Sequence, residues 1–165
     1  MMIAPVKPAG PLTAAAMAAA PVVAAAALGN LATMPNIPGW YEGLAKPALT
    51  PPNWVFGPAW TILYILMAFA FYRVLRLDPA TPGLRAAITI FLAQLALNAS
   101  WSFAFFAAHS PIGGLMVIVP MEALILYMIA QFWRLDRVAA CCLIPYAAWV
   151  AFATYLNAGV WMLNP

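Results

Sequence analysis

Two stretches of the sequence pair tryptophan with carboxamides at helical spacing. Gln94, Asn98, Trp101 and Phe105 follow one another by four, three and four residues, while Tyr146, Trp149, Ala153 and Asn157 follow by three, four and four. Each set therefore shares one helix face. Indole rings cover flat apolar surfaces and amides supply a few directed hydrogen bonds, so together with Trp60 these stripes suit a large flat ring system with polar edges. Trp60, Tyr64, Met67 and Phe71 form a third stripe, a pattern that ordinary helix packing produces equally well. No Ser/His/Asp set, phosphate-cradling glycine loop or spaced metal cluster accompanies them, and hydrolysis, phosphoryl transfer and ATP-driven transport are unsupported. His109, beside Ser110 and Pro111 and with no second His or Cys nearby, reads as a loop residue and no metal site is expected.

The elements that must position these residues are membrane spans. The 165 residues are 67% hydrophobic and 7% charged, far outside the range of an ordinary soluble domain. Apolar runs long enough to cross a hydrocarbon core fall at 12–34, 53–75, 86–108, 112–134 and 138–162. The expected fold is thus an all-α membrane protein, a single five-helix transmembrane bundle over 12–163, with a flexible lead over 1–11 and a long lid loop over 35–52. No room remains for a soluble catalytic domain, so the bundle must hold the function.

Lys7, Arg73, Arg76, Arg85, Arg134 and Arg137 lie at the N-terminus and in the second and fourth connections, against Lys46 alone in the first. The positive-inside rule puts the N-terminus in the cytoplasm, without naming the membrane. The arginines suit lipid headgroups, and no basic stripe with interleaved aromatics points to nucleic acid.

The lid carries Trp40, Pro47, Pro51 and Pro52 and is expected to lie over the bundle mouth with a short interfacial helix around 40–45. Pro51 and Pro52 exclude helix, Asn53 is placed to cap the next one, and Pro58 is expected to bend it. Trp54 fits an interface anchor and a pocket wall equally. The alanine-rich first span reads as a retained helix, with a secretory signal as the alternative. On the third span Ala96, Ser100, Ala104 and Ala108 make a small-residue ridge, suited either to a homodimer seam or to another helix of the same chain. Glu122 is a single carboxylate within the fourth span, expensive there unless protonated, hydrogen-bonded or near headgroups. Cys141 and Cys142 are adjacent and read as small buried fillers.

Three runs, LAKPALTPPNWVFGPAWTILY, QLALNASW followed by Phe105 and Phe106, and PYAAWVAFATYLN, closely resemble the translocator protein family, also called tryptophan-rich sensory protein or TspO/MBR and formerly the peripheral benzodiazepine receptor. The resemblance covers about residues 12–163. It implies a five-helix bundle, usually a homodimer, that binds protoporphyrin IX and related tetrapyrroles with no obligatory cofactor; some members bind cholesterol and benzodiazepine-site ligands. By that resemblance Trp60, Asn98, Trp101 and Trp149 are pocket residues, with Ala153 and Leu156 at small and apolar pocket positions and Tyr64 alongside. Some bacterial members promote light- and oxygen-dependent porphyrin breakdown, and the tryptophans tied to it correspond to Trp60 and Trp149. Two departures stand out. Gly113 occupies a position that is tryptophan in animal members, and Ala158 and Met162 replace the tyrosine and arginine of their cholesterol motif, so sterol binding is not carried over at that place.

Overall fold

A computed structural model describes residues 9–165, so most of the expected N-terminal lead lies outside the described residues. Five helices account for most of the described chain: α1 (Pro11–Thr33), α2 (Phe56–Leu75), α3 (Leu84–Ser102), α4 (Pro111–Leu135) and α5 (Arg137–Leu163). Each lies in a segment long and apolar enough to cross a membrane, and there is no strand among the described residues. The outward faces are as greasy as the core, with Leu12, Ile62, Ile65, Met116, Leu126 and Trp161 exposed. Only lipid makes such a surface stable, and the chain is an integral, multi-pass membrane protein.

Packing between the helices follows residue size. Phe71, Phe91 and Phe132 stack in series through the centre, with the Phe71 and Phe91 rings 4.0 Å apart. Met67, Ile125, Met128 and Leu143 fill the space around them. On α1 the buried positions are Ala14, Ala18, Val22, Ala25, Gly29 and Ala32, a strip of small residues that lets this helix lie close against α2 and α3. At Gly29 an added Cβ would stand 3.2 Å from Ser102 Oγ, which measures how close α1 comes to α3.

Helix ends are set by local chemistry. Ser110 caps α4 by accepting the Gly113 N–H at 3.0 Å, and Asp136 caps α5 by accepting from Ala139 at 3.0 Å. Asp136 also receives the Arg73 guanidinium at 2.9 Å, tying the end of α2 to the α4–α5 connection. Burial pushes the Asp136 carboxyl up, but the Ala139 amide and the Arg73 hydrogen bond and charge outweigh it, leaving the group below its ordinary range.

Two local expectations are corrected. Asn53 makes no capping hydrogen bond: it opens a 3₁₀ turn, Asn53–Val55, and α2 starts only at Phe56. Pro58 consequently sits in the first turn of α2, where its missing N–H has no helical partner to lose, so it has no reason to bend the helix. The prolines inside helices are Pro21, Pro120 and Pro145. Beyond α1 the chain runs through a 3₁₀ turn, Met34–Asn36, and a widened turn, Ile37–Tyr41, kinked at Pro38 and Gly39, and the short helix expected around 40–45 follows the kink as a helical turn over 40–43. Gly39 has φ 89°, a conformation open mainly to glycine.

Candidate ligand site between the indoles and the lid

The residues that could meet a ligand come from α2, α3 and α5, and a chain of buried polar groups fixes them. Asn98 is buried; its Oδ1 accepts the Tyr64 hydroxyl at 2.9 Å and its Nδ2 donates to the Tyr146 hydroxyl at 3.2 Å. Tyr146 in turn donates to Gln94 Oε1 at 2.9 Å. Four side chains from three helices are thus linked in one line, the arrangement expected of polar groups deprived of water. Gln94 Nε2 is left without a partner at the inner end of the line.

Above this line stand aromatic rings that are only half-buried. Trp60 stacks on Tyr64 with centroids 5.4 Å apart and meets Tyr146 edge-on at 6.3 Å. Trp149 meets Phe56 edge-on at 6.0 Å, and its Nε1 is buried with no hydrogen-bond partner. Ala153 lies one turn further along α5, half-buried against the core, and Leu156 is buried.

A second aromatic cluster belongs to the lid. Beyond Ser102 the third helix widens into a turn closed by the Ala108 N–H on the Phe103 carbonyl, 2.8 Å, and this wide turn carries Phe105 and Phe106 inward. Tyr41 and Trp40 pack on both rings, and Trp101 stacks on Phe105 at 5.5 Å. Trp40 also stacks on His109 at 4.7 Å, and His109 Nε2 lies 2.8 Å from Asn36 Oδ1. Lys46 holds the next turn, its ammonium 4.7 Å above the Tyr41 ring and donating to the carbonyls of Glu42 and Leu44. The lid then docks on α5. Pro47 covers Gly159, where a Cβ would come within 2.7 Å of the proline ring, and Asn164 exchanges hydrogen bonds with the backbone of Ala45 at 3.0 and 2.9 Å.

Trp60, Tyr64, Asn98, Trp149 and Ala153 are therefore gathered on the half of the bundle nearer the lid. Trp101 packs against the same core as Trp60 and Trp149, and its ring contacts run to Phe105 and Phe106 on the wide turn. Pro51 is half-buried, Pro52 exposed, and Trp54 exposed beside them. Ala96 and Ser100 are exposed on the outside of α3 and Ala108 is exposed just past the wide turn, with Ala104 half-buried within it. A side chain at Gly113 would stand 2.9 Å from Ser110 Oγ, the cap of its own helix. Glu122 Oε2 is buried without a hydrogen-bond partner. Among the described residues no three His, Cys, Asp or Glu side chains cluster to hold a metal.

The lid contacts of Asn36, His109, Pro47 and Asn164 have no counterpart in helical periodicity, since they join segments up to 119 residues apart. Tyr146 is different. Its place on the fifth-helix stripe marked it as inward, but only the fold shows that its hydroxyl joins Asn98 to Gln94.

The fold defines a polytopic helical membrane protein with an interior of aromatic rings and amides beneath a docked loop. The chain belongs to the TspO/MBR family, whose sequence profile matches residues 17–162. It is 40% identical over 126 residues to the tryptophan-rich protein TspO of Chlorobaculum tepidum, covering 76% of this chain and 80% of that one. It is 36% identical over 143 residues to the protein of the same name in Archaeoglobus fulgidus, covering 87% and 92%. The human translocator protein is 36% identical over 126 residues, covering 76% and 75%.

Proposed function

We propose that the protein binds protoporphyrin IX or a related flat tetrapyrrole inside the membrane and serves as its sensor or scavenger. The observation that supports this best is the indole N–H of Trp149, buried and unpartnered beside Phe56. An unpaired buried donor costs about 1–3 kcal/mol, and an acceptor on a bound ring would remove that cost. Trp60, Tyr64 and Ala153 offer flat or small surfaces to the ring; Asn98 keeps one N–H beyond its bond to Tyr146 for a polar edge. In this reading Trp101 and Leu156 border the site, and the lid closes it.

Titrating protoporphyrin IX into the detergent-solubilised protein is expected to quench tryptophan fluorescence, and Trp149→Phe to weaken binding at least several-fold. Unaltered affinity in that variant would remove Trp149 from the site. The human relative is a translocator protein by name, which favours a second reading, movement of the ligand across or between leaflets. Ligand flux in proteoliposomes that stops when the lid is locked to α5 would support it, and binding without flux would leave the sensor. Light-dependent ring breakdown at Trp60 and Trp149 is a separable side activity, recognised by a defined open-chain product lost in Trp60→Phe. The exposed ridge of Ala96, Ser100 and Ala108 supports a homodimer through α3, and the arginine bias supports a cytoplasmic N-terminus.

A further inference from the structure

At the end of the bundle away from the lid, Leu66 of α2 and Val138, Cys141, Cys142 and Pro145 of α5 wall an open furrow of about 390 Å³, with Arg137 at its end. Its walls are almost entirely apolar. The furrow begins at the first turn of α5 and its nearest wall on that helix, Pro145, is about 6 Å along the axis from Trp149 at 1.5 Å per residue, but none of Trp60, Tyr64, Asn98 or Trp149 lines it.

The charge around it is one-sided. Topology brings Arg73, Arg76, Arg85, Arg134 and Arg137 to this end, against the acids Asp78 and Asp136. Arg73 is bonded to Asp136, whereas Arg137 has no carboxylate partner among the described residues. Instead its guanidinium lies 6.0 Å over the ring of Trp133, itself exposed, at the level where a helix leaves the hydrocarbon.

We propose that this furrow holds one anionic glycerophospholipid of the adjoining leaflet, an acyl chain lying along Leu66, Val138 and Pro145 and the phosphate resting on Arg137. The surface is exposed on a membrane-spanning flank, so acyl chains are what it meets. A planar guanidinium binds phosphate oxygens in pairs. Basic residues are attracted to an anionic leaflet, which favours an anionic over a zwitterionic lipid. A second copy of the chain fits less well, because parallel copies meeting here would bring two arginine clusters to one level.

The test uses the full chain with Cys142→Ser, leaving Cys141 as its one thiol, in detergent with phosphatidylglycerol or phosphatidylcholine of identical acyl chains. Native mass spectrometry reads the retained lipid, and a membrane-permeant maleimide reads access to Cys141. Phosphatidylglycerol is expected to be retained at least several-fold more than phosphatidylcholine and to slow alkylation. Arg137→Gln should abolish the preference, Val138→Trp should fill the furrow and lower retention of both lipids, and Arg85→Gln, at the same end but outside the furrow, should change neither. Equal retention of the two lipids, equal loss in Arg137→Gln and Arg85→Gln, alkylation indifferent to lipid, protection by inorganic phosphate alone, or protection that follows dimer formation would each overturn the assignment.

Discussion

Asn157 holds Trp101 in place from across the bundle: its Oδ1 accepts the indole N–H at 3.0 Å while its Nδ2 donates to the carbonyl of Pro111 at 2.7 Å. One buried amide on α5 thereby fixes a ring on α3 and the first residue of α4. Gly114 makes the approach possible, since a Cβ there would come 2.5 Å from the same Oδ1 and 2.9 Å from Phe105.

Replacing this amide should therefore be costly. Asn157→Leu leaves the Trp101 N–H and the Pro111 carbonyl unpaired, and a loss on the order of 1–3 kcal/mol is expected, read as a lowered thermal midpoint in detergent. Adding Trp101→Phe should cost less in that background than in the wild type, because the two residues share one bond. Strict additivity would show that the bond carries no stability.

Tyr146 should behave as the joint of the polar line. With its hydroxyl removed in Tyr146→Phe, Gln94 Oε1 loses its donor and Asn98 Nδ2 its acceptor, and destabilisation of about 1–3 kcal/mol is expected. Tyr64→Phe, at the half-buried end of the line, should cost less because Asn98 Oδ1 is nearer to solvent or ligand. Thermal melts of the two variants side by side check the order.

The lid can be loosened without touching the core. Gly159→Val would drive a side chain into Pro47, which already lies within a Cβ contact of 2.7 Å. Faster amide hydrogen exchange over residues 44–50 is expected, with exchange in the middle of α4 unchanged. Asn164→Ala should act in the same direction by deleting the bonds to Ala45. If exchange over the lid stays at the wild-type rate in both variants, the docking on α5 does not hold it.

The Arg73 and Asp136 pair predicts a pH dependence with a definite sign. The Asp136 carboxyl is held below its ordinary range, so its folded form binds protons less readily than the unfolded chain. Its contribution is fully present above the unfolded value of about 3.9 and is lost as pH falls through the lower folded value. Asp136→Asn keeps a capping oxygen for Ala139 and removes only the charge. Because the pair is partly exposed, the expected loss at pH 7 is only about 0.2–1 kcal/mol. The gap in thermal midpoint between wild type and variant should narrow toward pH 3, and a gap unchanged with pH would mean that the ion pair contributes nothing.

Much of this molecule was written in its composition and spacing. A chain 67% hydrophobic, with its charged residues apart from Glu122 near its ends and connections, has only lipid as a stable surrounding, and five apolar runs of spanning length give five helices. Periodicity placed Gln94, Asn98 and Phe105 on one face, and the two amides turn that face inward because an amide facing lipid is the less favourable choice. The three motif runs were enough to identify the family.

Tertiary structure decided how those groups are used. Spacing puts Tyr146 and Asn98 inside but cannot say which lone pair meets which N–H, since that depends on how helices are rotated and how far apart they lie. It could not show that a wide turn after Ser102 would carry Phe105 and Phe106 inward against Trp101 and the lid, or that His109, a lone loop histidine by sequence, would stack on Trp40. Nor could it dock Pro47 on Gly159, 112 positions later in the chain. Helical periodicity reaches only a few residues along one element, whereas hydrogen bonds and ring contacts between elements exist only once the helices have packed.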